Sequence, residues 1–122
     1  MKKLLLILGL SGLLALGTFA PAGASGFRIL NSKTAYNQAS VSAWTRHYAK
    51  VYFGATFQAG SIVGTGYSVR CRNGFHKVGH LHTTSPGIKA AIVYLPTYPR
   101  CVESLSFYSP GTRVTILIAV ER

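Results

Sequence analysis

The sequence predicts an all-β protein, a small antiparallel β-sandwich of about seven or eight strands with one disulfide, and a small closed β-barrel is the alternative. Short runs that alternate apolar and polar residues recur along the chain. Turn signals rich in Gly, Pro, Asn and Ser separate these runs at fairly regular spacing. Strands joined by tight turns pair antiparallel, which favours two packed sheets over a mixed fold.

The chain begins with the pattern of an export signal. Two lysines precede an apolar run at residues 4–16, and small residues follow up to Ala24. We expect residues 1–24 to be a signal peptide that is cleaved before Ser25. Residues 25–122 would then form a single secreted β domain with no transmembrane segment, secreted or periplasmic in location.

Four stretches in the first half of this domain carry strand or ambiguous patterns. A first strand is predicted at residues 27–30, and strands are predicted at residues 47–57 and 61–71. Residues 34–43 fit a short helix or an irregular strand equally well, because alanines recur there at helical spacing while Val and Ser favour neither state.

A hairpin around Asn73-Gly74 is the clearest local signal. Asn-Gly tolerates the positive φ angles of a two-residue type I′ turn. That turn would place Cys71 opposite His76 and Arg70 opposite Lys77. One face would then carry Tyr67, Val69, Cys71, His76, Val78, His80 and His82. The other face would carry Ser68, Arg70, Arg72, Phe75, Lys77, Gly79 and Leu81.

The remaining chain is divided by two more turn signals, at residues 84–87 and 109–111. Strands are predicted at residues 88–95, 102–108 and 113–121. The last of these is apolar on both faces, which is typical of a strand in the centre of a sheet.

Cys71 and Cys101 are the only cysteines, and an exported chain meets oxidising conditions, so we expect them to form a disulfide. Closing this loop would stabilise the fold by roughly 3–4 kcal/mol on the chain-entropy model.

The charge balance favours a polyanionic partner. The chain has 13 Lys and Arg against 2 acidic residues and a formal net charge of +11, and only Lys2 and Lys3 of these cations lie in the predicted signal peptide. We therefore expect binding to an anionic polymer or surface such as envelope polysaccharide, lipopolysaccharide or nucleic acid. A secreted antimicrobial or toxin-like effector is the alternative, and a small hydrolase such as a ribonuclease is a third hypothesis.

Catalysis is not expected, because Glu103 and Glu121 are the only carboxylates and no spacing ties either of them to a histidine. No cofactor is expected. Three histidines, His76, His80 and His82, share the predicted apolar face and are candidate metal ligands, but we expect partly buried histidines bonded to backbone rather than a metal site.

Two binding surfaces are predicted. The first is the basic face of the hairpin, where the cations would bind phosphate or sulfate beside an aromatic ring. It consists of Arg70, Arg72, Lys77 and Phe75. The second is a proline-restricted loop at residues 95–100, which would present Tyr94 and Tyr98 as further contacts, for example to a glycan.

Overall fold

A computed structural model of the chain describes residues 28–96 and 100–121. The predicted signal peptide and Tyr98 lie outside these residues. The described residues form seven antiparallel strands in one curled sheet and contain no helix. These residues therefore include no helix long and apolar enough to cross a membrane. The all-β class, the antiparallel pairing, the strand number and the single disulfide are confirmed.

The strands differ greatly in length, from four residues to 21 residues. In chain order they are β1 (Arg28–Thr45), β2 (Lys50–Phe57), β3 (Gly64–Cys71), β4 (His76–Gly79), β5 (His82–Ser85), β6 (Ile88–Tyr94) and β7 (Cys101–Glu121).

Strand β7 is the centre of the sheet, as its apolar pattern predicted. Along one edge it pairs with β1 over almost its whole length. Along the other edge it pairs with β3 through residues 101–108 and with β2 through residues 114–121. Strand β4 extends the sheet beyond β3, and β6 and β5 extend it beyond β2. The sheet therefore has two halves that share β1 and β7.

The two halves fold onto each other. The Asn31 side-chain amide donates a hydrogen bond to the Ser42 carbonyl at 2.8 Å, although these residues would lie roughly 37 Å apart in a straight strand. Inside the fold, the rings of Phe53 on β2 and Tyr67 on β3 stack with centroids 4.7 Å apart. The result is a sandwich-like arrangement of two half-sheets.

The fold-back lies where β1 and β7 change register. Asn37 pairs with Ser109 while Tyr36 pairs with Arg113, so β7 carries extra residues at this point. Asn37 and Gly111 both adopt positive φ, and the Gly111 amide donates to the Asn37 side-chain oxygen at 2.8 Å. The predicted turn at residues 109–111 is therefore a bulge inside one bent strand, since pairing with β1 continues on both sides of it.

The prediction of two separate elements near the amino terminus is also wrong. Residues 27–30 and 34–43 were expected to be separate elements, with helix as one option for the second. From Arg28 onward they belong to the single strand β1. The pairing with β7 supplies the backbone partners and overrides the helical spacing of the alanines.

The hairpin is present, but its register differs from the prediction by one residue. Val69 pairs with Lys77 and Arg70 pairs with His76. The loop has three residues rather than two, because the Cys71 amide bonds to the Phe75 carbonyl and Gly74 takes the positive φ of 94°. A shift of one residue moves every side chain of β4 to the opposite face.

The space between the half-sheets is filled by apolar side chains that alternate along β2, β3 and β7. Fully buried members include Val51, Phe53, Val69, Leu105, Val114, Ile116, Ile118 and Val120. Glu103 is also fully buried there. Outward-facing residues of the same strands form the surface described next.

Candidate functional site

Small residues occupy the middle of one outer surface of the sandwich. Along β1, β7 and β3 every second side chain points outward, and the register aligns these positions in rows. One row holds Ser42, Ser104 and Ser68, and the next holds Ser40, Ser106 and Gly66. We call this surface the serine–glycine face, and it comprises Ser40, Ser42, Gly64, Gly66, Ser68, Ser104 and Ser106.

Four arginines and a tryptophan lie at one end of this face. Trp44 pairs with Val102, which pairs on its other side with Arg70. The Arg72 amide donates to the Arg100 carbonyl at 2.9 Å, which places these two residues side by side just beyond the disulfide. We call this group the arginine end, and it comprises Trp44, Arg46, Arg70, Arg72 and Arg100.

The arginine end is an open depression of about 600 Å³. The disulfide-bonded Cys71 and Cys101 are among its lining residues, and all four arginines are exposed. The Trp44 side chain is 81% exposed, which is far above what a tryptophan in a folded domain usually shows. Trp and Arg together are the side chains most enriched at binding hot spots.

Neither carboxylate of the sequence serves the arginine end as a counter-ion. Glu103 points into the core, where its Oε2 accepts a hydrogen bond from the Thr45 hydroxyl at 2.6 Å. Glu121 belongs to the other half-sheet, where it accepts from Tyr52 at 2.6 Å and lies 3.4 Å from the Lys50 ammonium. Clustered arginines without a protein carboxylate produce a positive potential that attracts anions.

Two side chains have pKa values moved by these surroundings. Burial raises the pKa of Glu103 to about 7, and the Thr45 hydrogen bond opposes this only in part. Burial, together with the hydrogen bond donated to Glu121, raises the pKa of Tyr52 above its ordinary value. Neither group faces the arginine end.

A second open depression, of about 670 Å³, lies at the far end of the serine–glycine face. Tyr108 lines it and is 61% exposed. Lys33, Gln38 and His80 also line it. Ser40, Gly64, Gly66 and Ser106 of the serine–glycine face also line this depression. Tyr108 is six positions along β7 from Val102, a distance of about 20 Å along the strand.

The structure divides the predicted basic face of the hairpin. Arg70 and Arg72 belong to the arginine end. Lys77 pairs with Val69 and therefore lies on the core-facing side of β4, and Phe75 packs partly buried against the core. The expected combination of these four residues on one face is wrong, because the longer loop shifts the register of β4.

The predicted tyrosine surface is described only at Tyr94. This residue is exposed on β6, and the Lys50 ammonium lies 5.7 Å from the centre of its ring. It belongs to the other half-sheet and not to the serine–glycine face.

The histidines predicted to share one face are separated. His76 lies on β4 and pairs with Arg70 of β3. His82 lies on β5, at the opposite edge of the sheet, and pairs with Ala90. His80 lies between the two strands, and its Nδ1 contacts the Thr65 carbonyl. In residues 28–96 and 100–121, no group of three or more His, Cys, Asp or Glu side chains is placed to hold a metal ion.

Sequence reasoning missed Trp44, Arg46 and Arg100. A signal for Arg100 was nevertheless available, because arginines flank both predicted disulfide cysteines, and a disulfide between neighbouring strands brings such residues together. Trp44 and Arg46 carried no comparable signal, since their position depends on the pairing of β1 with β7.

Comparisons with known proteins show similarity of fold only. No protein-family model matches the chain, and no curated protein matches its sequence. AlgX of Pseudomonas aeruginosa is similar with a TM-score of 0.49 and 15% identity over 78% of this chain, which spans 27% of AlgX.

Two carbohydrate-binding modules are also among the similar structures. TmCBM61, solved in complex with beta-1,4-galactotriose, has a TM-score of 0.48 and 15% identity, covering 75% of this chain and 69% of that one. The family 11 module of Clostridium thermocellum has a TM-score of 0.39 and 10% identity, covering 79% and 95%. At these scores the likeness says nothing about the ligand of this chain.

Proposed function

We propose that this protein binds an anionic polymer outside the cytoplasm and that the arginine end is the contact site for its acidic groups. The observation that carries the proposal is the cluster of four exposed arginines around Trp44 on a surface without a carboxylate. Guanidinium groups bind carboxylate, sulfate or phosphate through two parallel hydrogen bonds. The indole of Trp44 adds a flat apolar surface for the rest of the ligand.

The high positive charge of the chain alone would not favour one binding site over another. The backbone contacts at the arginine end support this location. Arg72 and Arg100 are held side by side by a backbone hydrogen bond, next to the Cys71–Cys101 disulfide that joins paired residues of β3 and β7. Such a fixed backbone reduces the ordering that the ligand must impose when it binds. The disulfide also suits a protein that acts in an oxidising compartment.

We further propose that the protein acts by binding and not by catalysis. The two carboxylates support this view, because Glu103 is sealed in the core and Glu121 is engaged by Tyr52 and Lys50. A carboxylate–histidine pair for acid–base hydrolysis would need one of these two carboxylates at the surface. Degradation of RNA by the purified protein, abolished by a histidine or Glu103 substitution, would contradict this proposal.

The test compares two double variants that remove equal charge. Arg70→Gln with Arg100→Gln alters the arginine end, and Lys77→Gln with Arg113→Gln alters exposed cations elsewhere. Binding to heparin is measured across a salt series, because affinity that depends on counter-ion release falls steeply with salt.

We expect the first double variant to bind heparin roughly 30-fold more weakly near physiological salt, at about 1 kcal/mol for each arginine. The control double variant should change less than about threefold, since it alters only the long-range potential. Equal losses in both variants would show that net charge alone is responsible and would refute the site.

A further inference from the structure

Two glycines of β3 are not required by the fold. Gly64 and Gly66 lie in the strand and do not adopt positive φ. A Cβ atom at either position would approach only a backbone oxygen, that of Tyr108 at 3.7 Å or that of Gly79 at 3.9 Å, which are ordinary contacts. Glycine inside a strand weakens it, so its presence where a side chain would fit indicates a backbone that something else must approach.

Two other glycines, Gly79 and Gly54, differ because side chains lie against them. A Cβ atom at Gly79 would come within 2.7 Å of the Tyr67 hydroxyl oxygen, so packing explains this residue. Gly54 of β2 lies beneath the Leu117 side chain, which comes within 3.6 Å of its Cβ position. Over Gly64 and Gly66 the nearest atoms are backbone oxygens, which leaves the outer surface of β3 open there.

The remaining positions of the serine–glycine face are serines on β3 and on the neighbouring strands β1 and β7. The Ser68 and Ser104 hydroxyls bond to each other at 2.7 Å, while Ser40, Ser42 and Ser106 are exposed. Exposed strand positions usually carry larger β-branched or aromatic side chains. Here the floor is shallow, and its hydroxyls can both donate and accept hydrogen bonds, as the hydroxyls of a sugar do.

The charge along this surface is uneven. Four arginines lie at one end, whereas among the described residues only two basic side chains, Lys33 and His80, line the depression at the other end. A single-stranded nucleic acid carries a phosphate at every nucleotide. Proteins that bind it have a groove lined with basic side chains along the whole bound strand. A chain that is acidic at one end and uncharged along the rest fits the surface better.

We propose that the serine–glycine face binds an oligosaccharide lengthwise, with an acidic group in the arginine end and uncharged sugar residues over the serines and glycines as far as Tyr108. This inference rests on the proposed function and names its ligand class. The Trp44 and Tyr108 rings, about 20 Å apart along β7, would contact sugar rings near the two ends.

The test uses an array of neutral oligosaccharides, the same oligosaccharides carrying one terminal uronic acid or sulfate, and a single-stranded DNA. Wild type is compared with Gly66→Val, which raises the floor, and with Ser32→Val, which adds an apolar side chain to the outer surface of the other half-sheet. We expect wild type to prefer the acid-bearing oligosaccharides over the neutral ones and over the DNA.

Gly66→Val should reduce binding to the preferred oligosaccharides at least tenfold, while Ser32→Val leaves it unchanged. Circular dichroism and thermal melting show that both variants are folded, and the valine at position 66 should raise the melting temperature because valine suits a strand better than glycine.

Several results would overturn the inference. They are unchanged oligosaccharide binding by folded Gly66→Val, binding of the DNA as tight as that of any oligosaccharide, and absence of binding to every oligosaccharide. In each case arginine-dependent heparin binding can persist, and then the proposed function stands while the ligand class is wrong. Loss of arginine dependence in the heparin assay would reject both.

Discussion

Glu103 should make the stability of the protein fall as the pH rises. Its side chain is fully buried on β7, and its Oε1 has no hydrogen-bond partner among the described residues. The other oxygen accepts a hydrogen bond from the Thr45 hydroxyl, which offsets the burial only in part. A carboxylate in this position is poorly solvated, so burial favours the protonated form and raises the pKa to about 7.

The size of the effect follows from the two pKa values. In the unfolded chain Glu103 titrates near its ordinary pKa of 4.5, and in the folded protein near about 7. Below the lower value both states are protonated and the stability is at its full value. Between the two values the unfolded chain releases its proton while the folded protein retains it, so the free energy of unfolding falls by about 3 kcal/mol in total.

Urea denaturation of wild type and Glu103→Gln between pH 4 and pH 8 measures this dependence. Glutamine is neutral and similar in shape, so the variant should lose the decline in that range. Glu121→Gln is the control, because it removes the other carboxylate and should retain the decline.

A wild-type stability that is constant or rises between pH 5 and pH 7 would contradict the reasoning. The same slope in Glu103→Gln as in wild type would also contradict it, because another group would then be responsible.

Three further predictions concern stability. Replacing both Cys71 and Cys101 by serine should lower the free energy of unfolding by about 3–4 kcal/mol, measured with urea against the oxidised wild type, and a change below about 1 kcal/mol would contradict the loop-closure estimate. Phe53→Ala should cost about 3–5 kcal/mol in the same assay, because this fully buried ring fills the space between the half-sheets. Gly87→Ala should destabilise the protein more than Gly74→Ala: both glycines have positive φ, but only at Gly87 would a Cβ atom meet backbone, the Phe57 oxygen at 2.7 Å. Equal melting temperatures of the two glycine variants would contradict the steric argument.

The fold class could be predicted because its signals are local. Alternation along residues 113–121 identified the strand, its apolar face and its central position, all of which the structure shows in β7. The turn at residues 84–87 connects β5 and β6 as expected, with Gly87 at positive φ. Alternation and turn preference depend on a few neighbouring residues, which the sequence contains in full.

The register of the hairpin could not be predicted from the sequence of its turn. Asn73-Gly74 is compatible with a two-residue loop and with a three-residue loop that ends in Gly74, and the sequence of the turn does not separate them. In the structure Phe75 packs against the core and Val78 is exposed, the reverse of the expected faces. Packing of the whole sheet selects the register, and a difference of one residue changes which side chains share a surface.

The sequence by itself determined that this is a cationic β protein with one disulfide, because composition, alternation and cysteine number do not depend on distant contacts. Only the tertiary structure decided that Trp44 and Arg46 of the β1 end meet Arg70, Arg72 and Arg100 beside that disulfide. It also decided that serines and glycines from three strands form one continuous face that runs from the arginine end into the second depression. The physical reason is that strand order and register are set by burial of the core, and the outward-facing residues take the positions that this burial leaves to them.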